Sequence, residues 1–206
     1  MAHSRAVQDA LASLAAAGFD LAHPFDAHAL VAGWDALAAG PRLGYLVGNT
    51  RALWEPFTRA RQSPPLAAAA DPLERYTEMT FEALLPHAQI FYAHRPYAGA
   101  YLPFQALAVA TGLGALAASR LVIHPTYGPW FALRAVVLVD GIPPATAPIA
   151  KPCVCTAACP AALEAALAGG DWRAWLAVRD ACTIAAHRYS DEQIRYHYLS
   201  LWRPAT

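Results

Sequence analysis

Charge is scarce in this chain. Of its 206 residues only 15% are charged and 57% are apolar, and the 15 basic side chains equal the 15 acidic ones. A formal net charge of zero supplies no bulk field toward nucleic acid or an anionic membrane, which excludes those partners as a default. Lysine is nearly missing: Lys151 is the lone one, so the basic residues are almost all arginine. That fits planar recognition of anions, and equally a composition bias that also supplies the alanine. Cysteine is sparse, at four. Cys153, Cys155 and Cys159 crowd one loop and Cys182 follows, a spacing that in a reducing compartment suggests reactive thiols or metal before a disulfide framework. The opening residues, Met1-Ala2-His3-Ser4-Arg5, show neither the apolar core nor the cleavage site of a secretory signal, which predicts a cytoplasmic protein.

Phosphate-cradling glycine loops are lacking too. Gly112-Leu113-Gly114 has no third glycine and sits late in an apolar stretch, not after a strand, so a dinucleotide fold is not expected. No catalytic triad or paired carboxylates can be placed. Cys155-Thr156-Ala157-Ala158-Cys159-Pro160 ends like a ferredoxin-type run, but Pro152 and Ile149 stand where further cysteines belong, and Cys153 is one residue out of register. Free thiols are the expectation, with no metal assigned; an iron–sulfur cluster and zinc are the alternatives. Residues 96–119 carry no charge, a run long enough to cross a bilayer. Gly99, Pro103, Gln105, Thr111, Gly112 and Gly114 interrupt it, which predicts a buried helix with a ligand-facing side and no membrane span.

What is present describes one globular unit over residues 1–206, long enough to bury about 70% of its unfolded surface. Ser4 is the expected cap of a first helix built on Val7, Leu11 and Leu14 and ended by Gly18. Residues 27–38 read as helix and 42–47 as strand; Asn49-Thr50 and Asp71-Pro72 cap two further helices, the second running to about Leu85. Residues 89–93 are a second strand, and a helix is expected from about Ala98. Residues 121–123 and 130–139 read as two strands joined through His124-Pro125-Thr126-Tyr127-Gly128-Pro129, a hairpin that makes the sheet partly antiparallel and argues for an α+β fold. Helices follow over 160–168 and on either side of a loop in the last third, with Ser190 capping the last. In the turn, Gly128 permits close backbone approach while Tyr127 and Trp130 supply broad apolar faces. This is a resting place for a large flat ligand or a packed aromatic turn.

Several blocks then resemble, in order along most of the chain, the CblC family of cobalamin-processing proteins. They are Gly18-Phe19-Asp20 with His23-Pro24-Phe25, residues 40–47, residues 123–138 followed by Lys151-Pro152, Trp172-Arg173-Ala174-Trp175, Arg179-Asp180-Ala181, and Arg188-Tyr189-Ser190-Asp191-Glu192-Gln193. The resemblance implies a mainly antiparallel sheet flanked by helices, related to flavin nitroreductases. It also implies base-off binding of cobalamin and removal of its upper axial ligand, by transfer of alkyl groups to glutathione or by reductive loss of cyanide with a thiol or reduced flavin, FMN or FAD. By the same resemblance the corrinoid face involves Ile90, Tyr97, Gly99, Gln105, Ser119, Ile123, His124, Tyr127, Gly128 and Trp130. Arg134, Arg179 and Arg203 are the catalytic candidates, the first two matching arginines that hold glutathione carboxylates, a task suited to a bidentate fork. Arg203 lies one position from its expected place. The implied partners are cobalamin, a small thiol, a second copy of the chain, or cobalamin-dependent enzymes that receive the product.

The chain departs from the family pattern in places. Pro96 replaces a histidine, and Pro129 replaces a glycine of the turn, removing a backbone donor. Asp26-Ala27-His28 begins like the motif by which some corrinoid proteins supply an axial histidine, but Val31 stands where its glycine belongs. Residues 108–160 also resemble epoxyqueuosine reductases and reductive dehalogenases, so corrinoid reduction with an iron–sulfur cluster is an alternative reading, beside a cobalamin carrier without chemistry and a flavin-binding reductase that never takes a corrinoid.

Overall fold

The computed structural model describes residues 2–30, 40–152 and 157–199. Helix α1 spans Ala2–Ala16, so it begins before the expected cap and Ser4 lies inside its first turn. It ends as the sequence indicates. Gly18 takes φ +94, its N–H reaching the Ala15 carbonyl at 3.0 Å and that of Phe19 reaching Leu14 at 2.9 Å. Those two bonds satisfy carbonyls the helix would leave open, in a backbone shape that suits glycine.

Strands β1 (Leu21–Asp26), β2 (Leu43–Asn49), β3 (Gln89–Tyr92) and β8 (Ala132–Val139) form one antiparallel sheet in the order β1-β2-β8-β3. Its register pairs Leu21 with Gly48, Leu43 with Val139 and Gln89 with Leu138. Alternation divides the two faces. Tyr45 and Val47 with Ala135 and Val137 pack against Leu14 of α1, Phe57 of α2 (Trp54–Ala60) and Phe81 of α4 (Pro72–Leu84). On the other face Leu46, Val136 and Leu138 meet Leu107 and Ala108 of α5 (Phe104–Ala110). Between α2 and α4 lies the short α3 (Pro64–Ala67). The α+β class with a mainly antiparallel sheet is thus observed.

Local capping follows the sequence. The Thr50 hydroxyl caps the turn Arg51–Leu53 that leads into α2, and Asp71 accepts the Glu74 N–H at 3.0 Å with Pro72 opening α4. The last third holds α6 (Ala158–Leu167), α7 (Trp172–Asp180) and α8 (Asp191–Leu199), and the Ser190 hydroxyl accepts the Gln193 N–H at 3.2 Å.

Three expectations are corrected. The uncharged run does not form a helix from Ala98: β4 (Pro96–Tyr97) and β5 (Ala100–Tyr101) make a short hairpin, α5 covers only Phe104–Ala110, and β6 (Ala115–Leu116) follows. Its prolines and glycines break the helical pattern. No helix of the described residues is long and apolar enough to cross a membrane. Next, β7 (Val122–Ile123) does not pair with β8. It pairs with β6, matching Ala115 with Ile123, while the His124–Gly128 turn closes on itself through two 2.9 Å backbone bonds. The sheet is antiparallel because β8 pairs with β2 and β3, not because of a hairpin. Finally, Ala27–Leu30 is a 3-10 turn, and the rest of the expected 27–38 helix lies outside the described residues.

Candidate functional site

Register along β8 carries an irregularity with a chemical consequence. Val47 pairs with Ala135 but Gly48 with Leu133, so Arg134 is an extra residue opposite β2. Such a bulge re-aims the side chain it carries. Arg134 Nε donates to Asn49 Oδ1 at 2.7 Å, and buried Asn49 donates through Nδ2 to the Thr50 carbonyl at 2.9 Å. Thr50 donates from its N–H and hydroxyl to the Asp20 carboxylate, at 2.7 and 2.5 Å. One guanidinium nitrogen, Nη2, is sealed from solvent without a partner among the described residues. Burial pushes the Arg134 pKa down, opposed by Tyr189, Asp71 and Glu74, yet an arginine retains its proton at neutral pH.

Arg179 approaches from α7. Its Nη1 donates to the Pro129 carbonyl at 2.8 Å, and its guanidinium carbon stands 5.9 Å from the Trp130 ring centre. The Arg188 guanidinium lies 5.4 Å from the same ring, held by Asp180 and Asp191. Arg134, Arg179, Trp130, Tyr189 and His197 line a cavity of about 440 Å³. A second, of about 230 Å³, is lined by Gln105, Val122, Pro129, Phe131 and again Arg179. A larger cavity of about 690 Å³, beside Val7, Leu43, Tyr45 and Asp140, touches none of the residues expected from sequence. It holds one charged side chain and no cluster of polar groups, so the arginine-lined pair is the stronger candidate.

Two histidines have a defined state. His124 Nδ1 accepts the N–H groups of Thr126 and Tyr127 at 3.0 and 3.3 Å, so the neutral ring carries its proton on Nε2 and is a donor there. Its pKa is pulled down to about 4, first by burial and then by His23 and His187. The Tyr127 ring stacks on it at 4.5 Å. His197 is pulled down to about 3, by burial and then by Arg134 and Arg179, so it is uncharged at neutral pH.

The other residues expected from sequence fall into three settings. Trp130 is fully buried and packs with Tyr189 and Ile194, so of the two readings of the turn its ring fits the packed aromatic one, while its side chain still lines the arginine cavity. Ile123 and Ser119 are buried, Ile90 packs against the core, and the Tyr97 hydroxyl accepts the Tyr92 N–H while its ring meets Phe91 edge-on at 5.0 Å. Gly99 is exposed in the β4–β5 turn, and Gln105, also exposed, donates to the Arg120 carbonyl at 3.3 Å. The close approach expected at Gly128 exists, but toward protein: a Cβ there would stand 2.2 Å from the Ile184 carbonyl oxygen. Buried Cys159 donates its thiol to the Ala181 carbonyl at 3.4 Å, and Cys182 is buried. Arg203, Cys153 and Cys155 lie outside the described residues.

Sequence reasoning missed Asn49, Tyr189 and His197. By sequence Asn49 reads as part of a helix cap, and Tyr189 belongs to a block of family resemblance that gives it no role. His197 had only its position one helical turn after Gln193 as a signal.

The antiparallel α+β fold is that of a known structural class. A solved C. elegans B12-trafficking protein, CblC, superposes with a TM-score of 0.67 at 16% identity, covering 98% of this chain and 91% of that one. Two curated proteins are similar in sequence, both named cyanocobalamin reductase / alkylcobalamin dealkylase. The Bos taurus protein is 33% identical over 181 residues, covering 76% of this chain and 64% of that protein. The Homo sapiens protein is 35% identical over 183 residues, covering 76% and 63%. The chain is therefore similar to the CblC proteins in both sequence and fold, and it spans a little under two thirds of the length of the curated relatives it matches. No protein-family model matches it.

Proposed function

We propose that this chain, acting as one domain with the nitroreductase-related form of its fold, binds cobalamin as substrate with the nucleotide base displaced from cobalt and removes the upper axial ligand. Support comes first from the curated relatives, whose names describe both activities. The observation that carries the reading is that Arg134 and Arg179, far apart in sequence, face one cavity of about 440 Å³ beside Trp130. That volume suits a small co-substrate; the much larger corrinoid would lie outside it, over residues that include Gln105, His124 and Tyr127.

In this reading the arginines hold the carboxylates of glutathione and lower the cost of a nearby thiolate. The thiolate sulfur attacks the alkyl carbon, the cobalt–carbon pair stays on cobalt as Co(I), and a thioether leaves. Holding sulfur in line with that bond replaces an encounter in solution. Loss of cyanide needs instead an electron from the thiol or from reduced FMN or FAD, with cyanide leaving with its own pair. His124, a hydrogen-bond donor through Nε2, would act on the corrin periphery and not as a ligand through Nδ1. Homodimer formation and transfer of the product to cobalamin-dependent enzymes belong to the same proposal.

The test is an anaerobic visible titration of methylcobalamin with the protein, followed by glutathione. A shift of the main band to shorter wavelength and then a Co(I) or Co(II) spectrum is expected. Binding without a thiol response would select a carrier, and no shift at any protein concentration would remove methylcobalamin as the ligand.

A further inference from the structure

Four buried polar atoms without a partner among the described residues belong to side chains lining the same cavity: Trp130 Nε1, Arg134 Nη2, the Tyr189 hydroxyl and His197 Nε2. Gln193, one helical turn before His197 on α8, is buried with both its amide atoms in the same state. Native proteins leave few such groups, since each gives up its hydration without a replacement bond. Their convergence from β8, the turn before it, the loop before α8 and α8 itself points to a polar occupant.

The chemistry of the atoms defines that occupant. Tryptophan and arginine only donate, tyrosine can donate, and neutral histidine donates from Nε2 in the tautomer that carries its proton there, so oxygen acceptors can satisfy all four at once. Two guanidinium groups supply the charge that makes the acceptor a carboxylate. His197 adds no charge, because burial and the two arginines hold it neutral. Its ring lies 5.5 Å from that of Tyr189, which itself meets Trp130 edge-on at 5.7 Å, so the donors sit on rings braced against one another.

We propose that His197 is a specificity-determining residue of this cavity, donating from Nε2–H to a carboxylate of the small thiol co-substrate while Arg134 and Arg179 carry the charge. The inference rests on the thiol reading given above and extends it from the two arginines to an uncharged donor on α8.

The experiment is calorimetric titration with S-methylglutathione, which has both carboxylates but cannot react, in the absence of cobalamin. Its dimethyl ester is the second probe. The protein should bind the acid at least tenfold more tightly than the ester. His197→Phe should weaken acid binding about tenfold, the order of one hydrogen bond to a charged group, with little effect on the ester. His197→Gln, which keeps a donor, should recover most of the loss. The melting temperature of the phenylalanine variant should equal or exceed that of the parent, because an unpaired group has been removed; His197→Leu serves if the phenylalanine variant does not fold. If the parent binds the acid and the apolar variants bind it equally well, the role of His197 is overturned while the thiol reading stands. If the parent binds neither probe at millimolar concentration, the thiol reading fails and the inference falls with it.

Discussion

Arg179 donates to the carbonyl of Pro129 at 2.8 Å, tying α7 to the turn that leads into β8. The bond gives the Pro129 carbonyl a charged donor, although the residue itself has no N–H to give. It also fixes a residue, Arg179, that lines both arginine-lined cavities.

On the proposed function, Arg134→Leu and Arg179→Leu should each reduce thiol-dependent dealkylation by about tenfold to a hundredfold, the cost of a lost charged hydrogen bond or pair. Cobalamin affinity, read from the base-off spectral shift, should stay nearly constant. Equal losses in both measurements would count against a thiol-binding role.

Gly128→Ala should destabilise the fold by about 2–4 kcal/mol. The residue takes φ +58, and a Cβ would stand 2.2 Å from the backbone oxygen of Ile184, which has no flexible end to move aside. Denaturant unfolding monitored by circular dichroism tests this, and a loss below about 0.5 kcal/mol would contradict the contact.

Glu78 links α4 to the segment after β3. It is buried, accepts hydrogen bonds from His94 at 2.9 Å and Arg95 at 2.8 Å, and carries a lowered pKa because those bonds outweigh the upward push of burial. A carboxylate with a depressed folded pKa contributes stability that is present above its unfolded value of about 4.3 and is lost as pH falls through the folded value. Unfolding free energy should therefore drop on acidification below about pH 4, and Glu78→Gln should flatten that part of the profile while costing about 2 kcal/mol at pH 7.

Phe81→Ala should cost about 3–5 kcal/mol. The ring is fully buried, meets Phe19 edge-on at 4.9 Å and joins α4 to the helical face of the sheet. A thermal shift measurement alongside denaturant titration gives the value, and a change under about 1 kcal/mol would mean that the face repacks.

Reading the sequence went furthest where signals are local. Gly18, Thr50, Asp71 and Ser190 act within one turn of chain, and each ends or begins an element as expected. Residues 96–119 misled for a related reason: apolar composition is shared by buried helix, buried strand and packed turn, and only Pro103 and the glycines hinted that four short elements would form. The supposed hairpin at residues 121–139 failed because strand partners are chosen by burial, and β8 gains more from lying between β2 and β3 than from its sequence neighbour. Of the site, Arg134, Arg179 and Trp130 were legible through resemblance, whereas Asn49 and His197 were not. Nothing in a linear sequence marks the bulge that turns Arg134 toward them.

By itself, the sequence determined the α+β class, the starts and stops at Gly18, Thr50, Asp71 and Ser190 and the places of strands β2, β3 and β8, since these depend on residue shape and short-range pattern. Tertiary structure alone decided the strand order, the register slip at Arg134 and the convergence of Trp130, Arg134, Arg179, Tyr189 and His197 on one cavity. Those features depend on which distant surfaces bury one another, a choice made by the free energy of the whole core and not by any short stretch of chain.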